Sequence, residues 1–349
     1  MSDVGPFQTS HRDRDGTRAV VRWLLLCAAM VLAMVLIGGI TRLTESGLSI
    51  VEWQPLVGTI PPLTEADWQA LYRKYQTSPQ FKQVNRSMTL AEFKGIFWWE
   101  YIHRLWGRLI GLVFALPFLW FLARRRISGA LAWKLGGIFA LGAAQGAMGW
   151  YMVASGLVDR PEVSQYRLTA HLGLALLIYA LLLWTAWGLR TRPARPPAGT
   201  ALRLGATAVL SLVTVAILAG GFVAGLDAGL IYNTFPLMEG RLVPPDYLTT
   251  APWWRDLFEN RATVQFHHRV LGVATVAAAA AYAWRAFGPG TPPPAQRGAV
   301  ALALVAALQA SLGIATLLLL VPVSLAALHQ AGAMALFTAA LWLRFVLRG

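Results

Sequence analysis

The sequence predicts an all-α polytopic membrane protein, with eight transmembrane helices arranged as two tandem four-helix bundles. Composition, the spacing of apolar segments and a repeat between the two halves carry that prediction. The 349 residues are 56% hydrophobic and 13% charged, with a mean hydropathy of +0.53, whereas a soluble domain carries about 25% charge. The formal net charge of +14 would suggest nucleic acid in a soluble protein. Here the basic residues cluster beside apolar segments, where they act as topology signals, and a nucleic-acid role is excluded.

Segments of roughly 20 apolar residues, enough to span a bilayer, lie near 20–41, 99–123, 132–154, 168–189, 202–224, 267–287, 299–320 and 323–345. The last two nearly abut at Pro322. Arg12, Arg14, Arg18 and Arg22 precede the first segment, Arg124, Arg125 and Arg126 follow the second, and Arg190, Arg192, Arg195 and Arg203 separate the fourth from the fifth. Arg285 and Arg297 follow the sixth, and Arg344 and Arg348 close the chain. The positive-inside rule then puts both termini in the cytoplasm; a prokaryotic inner membrane is the expected location. Asp13 and Asp15, with no small-residue cleavage site after the apolar run, make the first segment a retained helix and not a signal peptide. The single cysteine, Cys27, lies within it, so no intrachain disulfide forms.

Two outer connections are long, 41–98 and 225–266. Loops of that length are functional or carry their own structure. In LTEADWQALYRKYQ, Thr64 can cap a helix on which Leu63, Ala66, Leu71 and Tyr75 recur at roughly helical spacing. A proline-rich linker at 191–199 divides the chain into halves at 1–196 and 197–349.

The halves resemble each other. GGITRLTESGL (38–48) aligns with GGFVAGLDAGL (220–230), and EYIHRLWG (100–107) with QFHHRVLG (265–272). Gln145 and Gly149 match Gln309 and Gly313, and His171 takes the place of His329. Offsets drift from 182 to 158 without crossing, as in a duplicated four-helix unit. An even number of helices per half gives both copies the same orientation.

The repeat filters the six histidines. His11 lies in the tail and His267 has Ile102 as its counterpart, leaving His103, His171, His268 and His329. At 1.5 Å per residue they stand about 31, 28, 26 and 23 Å from the arginines at the inner ends of their helices. All four therefore sit toward the outer side of a hydrocarbon core about 30 Å thick. Position i+4 on the same helix face is Gly107, Ala175, Gly272 and Ala333, respectively. An imidazole beside bare backbone suits a flat macrocycle, and iron held between imidazoles of facing helices is a known bundle-core arrangement. Core packing explains a lone membrane histidine, and Gly142, Gly146 and Gly149 read as helix-packing residues. Four matched positions favour ligation of haem iron over packing, and over zinc, whose usual cysteine or carboxylate ligands are missing. Spacing leaves open which histidines pair.

One difference separates the halves. Glu100 lies three residues before His103, on its face, where His268 has Gln265. A carboxylate accepts a proton or stabilises positive charge, and an amide does not act as a base. The chemistry is therefore assigned to the first half, the bland alternative being an ion pair of Glu100 with Arg104 or Arg108. Arg104 and Arg269 occupy equivalent places, where they either neutralise propionates or snorkel to headgroups.

GGITRLTESGLSIVEWQPLVGTIPPL, FWWEYIHRLWGRLIG, LTAHLGLAL and QFHHRVLG together resemble the haem A synthase family, membrane enzymes that oxidise the C8 methyl group of haem O to the formyl group of haem A. The resemblance runs from Trp23 to Arg344. It implies that His103 and His171 flank the substrate haem, that Glu100 assists there, and that His268 and His329 ligate a haem b that passes electrons. It further implies two successive hydroxylations and loss of water from the gem-diol. Haem O and haem A would be substrate and product, with haem O synthase and terminal-oxidase assembly factors as partners and a homo-oligomer as a further expectation. Some members carry cysteine pairs in the outer loops; this chain has none, so dithiol-dependent electron entry cannot operate. The rival readings are a dihaem b-type cytochrome that only transfers electrons, which leaves the Glu100/Gln265 difference unexplained, and a transporter, whose site belongs near the bilayer centre.

Overall fold

The computed structural model describes residues 11–52, 57–156, 163–190, 199–289 and 291–348. It is all-helical, with eleven α-helices among the described residues: α1 (His11–Leu43), α2 (Glu65–Gln76), α3 (Pro79–Gln83), α4 (Leu90–Ala123), α5 (Gly129–Gly156), α6 (Gln165–Arg190), α7 (Thr200–Gly225), α8 (Trp253–Glu259), α9 (Arg261–Arg285), α10 (Pro293–Leu318) and α11 (Val323–Val346). Each of the eight apolar segments coincides with one of the long helices, the sixth and seventh running two residues past the ends of α9 and α10. Six of these, α1, α4, α6, α7, α10 and α11, are long and apolar enough to cross a membrane. The other two are comparably long but diluted, α5 by glycines, Lys134 and Gln145, and α9 by His267, His268 and Arg269. The proline-rich stretch at 191–198 lies outside the described residues.

Helix packing follows the repeat. α1 packs on α4 and α6, and α5 on the same two helices, closing a ring of four; α7 packs on α9 and α11, and α10 on the same two, closing a second. The rings meet where α6 touches α7 and where α11 touches α1 and α6. A continuous apolar core runs through both, including Leu24 and Val31 of α1, Leu176 and Leu182 of α6, Val213 of α7, Leu302 of α10 and Phe337 of α11. Burial of such side chains is worth about 1.5–3 kcal/mol each relative to water. Within lipid, close packing and polar bonds between helices carry the association instead. Trp23 and Trp106 supply two such bonds between α1 and α4, donating to the Val113 and Met30 carbonyls at 2.8 and 2.9 Å.

The two equivalent turns after α1 and α7 are built alike. Each enters a short 3₁₀ turn, Ser46–Leu48 or Ala228–Leu230, through an acidic residue in the left-handed region, Glu45 at φ 53° and Asp227 at φ 49°. Such a conformation is uncommon outside glycine, asparagine and aspartate, so its recurrence at matched positions is a fingerprint of the duplication. The Arg42 guanidinium reaches the Asp227 carboxylate at 2.8 Å, tying the first turn to the second.

The helix expected after Thr64 is α2, closed by a capping box in which Thr64 and Asp67 exchange hydrogen bonds. Its buried face matches the expected one in part: Tyr75 is buried and Leu71 packs beside it, but Trp68 joins them while Leu63 and Ala66 face outward. The reason is α4, which begins at Leu90, nine residues before the apolar segment, and presents Phe93 and Phe97 to α2. Tyr75 stacks on Phe93 at 5.1 Å and Trp68 meets Phe97 edge-on at 4.9 Å. Aromatic partners selected the face, which aliphatic periodicity alone did not reveal. Gly142 and Gly146, read as packing residues, have open space around them.

In the second long connection, fully buried Asp256 organises the chain, accepting hydrogen bonds from the Thr250 N–H at 2.6 Å, from Asn260 Nδ2 at 3.0 Å and from the Thr263 hydroxyl. Burial pushes this carboxyl up, but the bonds from Thr263, Thr250 and Asn260 outweigh it and pull it from 3.8 down to about 2. With the folded value below the unfolded one, the stabilisation is present above about pH 4 and is lost as pH falls toward about 2. Asp256→Asn is therefore expected to lower the melting temperature at neutral pH and to flatten the acid limb of a melting-temperature profile across that window. Gly225 of α7 lies close against α6: a Cβ there would lie 2.7 Å from the Gln165 Cα. Gly225→Ala is expected to cost about 1–3 kcal/mol by overpacking, read as a lowered midpoint in thermal unfolding in detergent.

Candidate functional site

The four histidines occupy matched sites in the two rings. His103 is on α4, His171 on α6, His268 on α9 and His329 on α11, and each imidazole lies against a glycine of a neighbouring helix. A Cβ on Gly38 of α1 would stand 3.2 Å from His103 Nε2, and one on Gly149 of α5 would stand 3.3 Å from His171 Cε1. In the second ring, Gly220 of α7 would place it 3.0 Å from His268 Cε1 and Gly313 of α10 2.7 Å from His329 Cε1. Gly38 and Gly220 are repeat partners, as are Gly149 and Gly313. The glycines that matter most therefore lie across the helix interface. Of the same-face residues expected to leave bare backbone, Gly272 does border open space, whereas Gly107 borders Met34.

The repeat also sorts the histidines within the fold. His268 and His329 face each other with ring centroids 6.4 Å apart and planes at 86°. His103 and His171 stand in the first ring on α4 and α6, each of which packs on both α1 and α5. Proximity thus pairs His268 with His329. His267, set aside because its counterpart is Ile102, turns instead to the Tyr247 hydroxyl at 3.2 Å.

Several polar atoms at these sites have no protein partner. His171 Nδ1 and His329 Nδ1 are buried without a hydrogen bond, as are Gln145 Oε1 and Gln309 Oε1. His268 Nδ1 pairs with the Ala216 carbonyl at 3.1 Å, which orients the ring and leaves Nε2 for another role. Among the described residues no three histidine, cysteine, aspartate or glutamate side chains gather as a metal-ion site. Two facing imidazoles suit a metal that brings its remaining ligands with it, as porphyrin iron does. Two metal–nitrogen bonds of about 2 Å plus the depth of the rings fit within the 6.4 Å between His268 and His329. The residues present therefore fit haem.

Glu100, 2% exposed, accepts a hydrogen bond from Arg104 Nε at 2.6 Å. Arg104 donates from its other two nitrogens to the carbonyls of Glu52 at 3.2 Å and Ile50 at 2.9 Å. Arg104, and not Arg108, is thus the partner of the acid; Arg108 reaches the Gly58 carbonyl at 3.4 Å. The second ring repeats the arginine scaffold. Arg269 donates to the Thr234 and Tyr232 carbonyls at 2.7 and 2.6 Å, positions 182 residues beyond Glu52 and Ile50. The acid is replaced there by Gln265, whose Nε2 donates to the Tyr232 carbonyl at 3.0 Å. Arg269 Nε and Gln265 Oε1 are both left without a partner. The scaffold is duplicated and the carboxylate is not. Removing one member of a buried ion pair strands the other, at about 3–5 kcal/mol. Arg104→Ala is expected to lose stability on that scale in chemical denaturation, and Glu100→Gln, which recreates the second-ring arrangement, to lose less.

Comparison with known proteins places this arrangement. A model of the cytochrome oxidase assembly protein family, COX15-CtaA, matches residues 21–341. The haem A synthase of Nitrosospira multiformis is 53% identical over 334 residues, covering 95% of this chain and 94% of that one. That of Nitrosomonas eutropha is 53% identical over 345 residues, covering 98% and 97%, and that of Rhodospirillum centenum 50% over 346 residues, covering 99% and 92%. With the match spanning both rings and all four histidine sites, the chain belongs to the COX15-CtaA family of cytochrome oxidase assembly proteins.

Proposed function

We propose that this protein is a haem A synthase that oxidises the C8 methyl group of haem O to the formyl group of haem A by successive hydroxylations. The observation that carries the assignment of roles is the asymmetry just described: two matched histidine sites on a duplicated arginine scaffold, one with Glu100 and one with Gln265. The chain is read as two tandem four-helix bundles, residues 1–196 and 197–349, with eight spans, both termini in the cytoplasm and the histidine sites toward the outer side of the inner membrane. Supporting this are the two closed rings of helix contacts and the arginines at the ends of the apolar segments.

In the first bundle His103 and His171 flank the substrate haem O. Each hydroxylation removes two electrons and one hydrogen from the methyl carbon and adds the oxygen of water. The second gives a gem-diol, which loses water to the aldehyde; overall one water is consumed and four protons and four electrons are released, the electrons passing singly to an external one-electron acceptor. Glu100 accepts a proton at its carboxylate or stabilises positive charge developing beside the ring. Arg104 fixes the carboxylate's orientation through Nε while the Ile50 and Glu52 carbonyls hold the guanidinium. His268 and His329 would hold a haem b in the second bundle, and that group would supply one-electron redox chemistry there. Arg104 and Arg269 both stand where propionates would be neutralised; Arg269 Nε, with no acceptor in the protein, is the open donor there. Haem O synthase and terminal-oxidase assembly factors are the partners this chemistry implies.

The experiment is purification followed by haem extraction and mass identification, with and without haem O synthesis in the host. A haem A synthase yields haem A and hydroxylated haem only when haem O is supplied. A protein holding haem b alone and making neither product would be an electron-transfer cytochrome. Glu100→Gln is expected to lower the rate of haem A formation by about 10²–10⁴-fold while retaining bound haem. Gly313→Ala, whose Cβ would press on His329, is expected to weaken haem retention in the second bundle by about 10–100-fold, measured by haem-to-protein ratio.

A further inference from the structure

We propose that Gln330 is a positioning residue that joins the two histidine sites into one unit, fixing the separation across which an electron passes between them. Gln330 directly follows His329 on α11, yet its side chain leaves the second bundle and donates from Nε2 to the Val35 carbonyl of α1 at 2.8 Å. Its amide lies on the bare backbone of Gly39, where a Cβ would stand 1.6 Å from Oε1. The adjacent residue, Gly38, is the one against which His103 packs. Two consecutive glycines on α1 thus serve opposite halves: Gly38 admits the first-bundle imidazole and Gly39 admits the residue next to a second-bundle imidazole.

The repeat does the same in reverse. On α7, Gly220 admits His268, while Gly221 meets Thr169, two residues before His171 on α6. Each diglycine step therefore contacts a histidine of its own bundle and the helix bearing a histidine of the other. Only the α1 step is closed by a polar bond, since Thr169 Oγ1 has no partner. A side-chain amide bonded between helices in lipid has few competing partners, so it holds one register. A slip of α11 against α1 would move His329 relative to His103. The exchange at stake is a one-electron step: one site is oxidised, the other reduced, and no bond or proton changes hands.

This inference rests on the two-haem reading above, and the test separates the two. One electron is injected into purified, haem-loaded protein by laser photolysis of a deazaflavin, and its redistribution is followed in the absorption bands of the two haems. Gln330→Met, matched in length but without a donor, is expected to slow redistribution several-fold while haem content and both spectra stay unchanged. Gly39→Ala, which fills the place of the amide and leaves Gln330 in the sequence, is expected to do the same and carries the test if the first variant does not fold. In haem-free protein, spin labels on the ends of α1 and α11 nearest Gly39 and Gln330 are expected to show a broadened distance distribution in either variant. Redistribution at the wild-type rate in both variants would overturn the inference. A wild-type protein lacking a second haem would instead overturn the reading beneath it.

Discussion

Everything at the two sites depends on how closely one helix can approach an imidazole on the next. A histidine buried in an apolar bundle must be braced if its ring nitrogen is to point at anything in particular, and the brace here is bare backbone. Gly38, Gly149, Gly220 and Gly313 each stand where any larger residue would push the ring aside. Four such contacts, two per bundle, set helix spacing and ring position together. The packing that holds the bundles closed is therefore the same packing that aims the imidazoles. Imidazoles placed this way tolerate little drift, because a densely packed interior cannot yield by a fraction of an ångström at one point alone.

Much of this was legible in the chain. Composition gave the class, apolar spacing the long helices, and the repeat singled out His103, His171, His268 and His329 while setting aside His267, which bonds to Tyr247. The glycines that brace the rings also stood in the aligned segments, Gly38 with Gly220 and Gly149 with Gly313. Their meaning was hidden because contact across helices depends on rotation of one helix about its axis, which a spacing rule within one helix does not carry. The same limit explains α2. Its cap at Thr64 is a local interaction and could be read directly, while its buried face was chosen by Phe93 and Phe97 on a distant helix. The partner of Glu100 was narrowed to two arginines by spacing and decided by the Ile50 and Glu52 carbonyls, which hold Arg104 in place.

Repetition with an exchange at Glu100 and Gln265 gives two different polar environments on one architecture. Both bundles keep an arginine clamped to the turn that follows their first helix, at Ile50 and Glu52 or at Tyr232 and Thr234. The clamp in the first bundle orients a carboxylate; the clamp in the second stands beside a neutral amide. A buried carboxylate without its cation would be costly in lipid, so the arginine is what permits the acid to be there. The left-handed residues Glu45 and Asp227 shape the two turns alike, which keeps the carbonyls in equivalent places despite different sequences around them.

The length of α4 has a mechanical consequence. Its 34 residues make a rod of about 51 Å at the standard rise, against a hydrocarbon layer of about 30 Å. The excess is clad in aromatic rings from α2 and α3, and that cluster continues along the rod to Tyr101 and Leu105, the stretch that carries Glu100 and His103. A thinner or thicker bilayer changes how far the rod stands proud, but it moves carboxylate, imidazole and cladding as one body. The alignment of Glu100 with His103 is thereby referred to protein and not to the membrane surface.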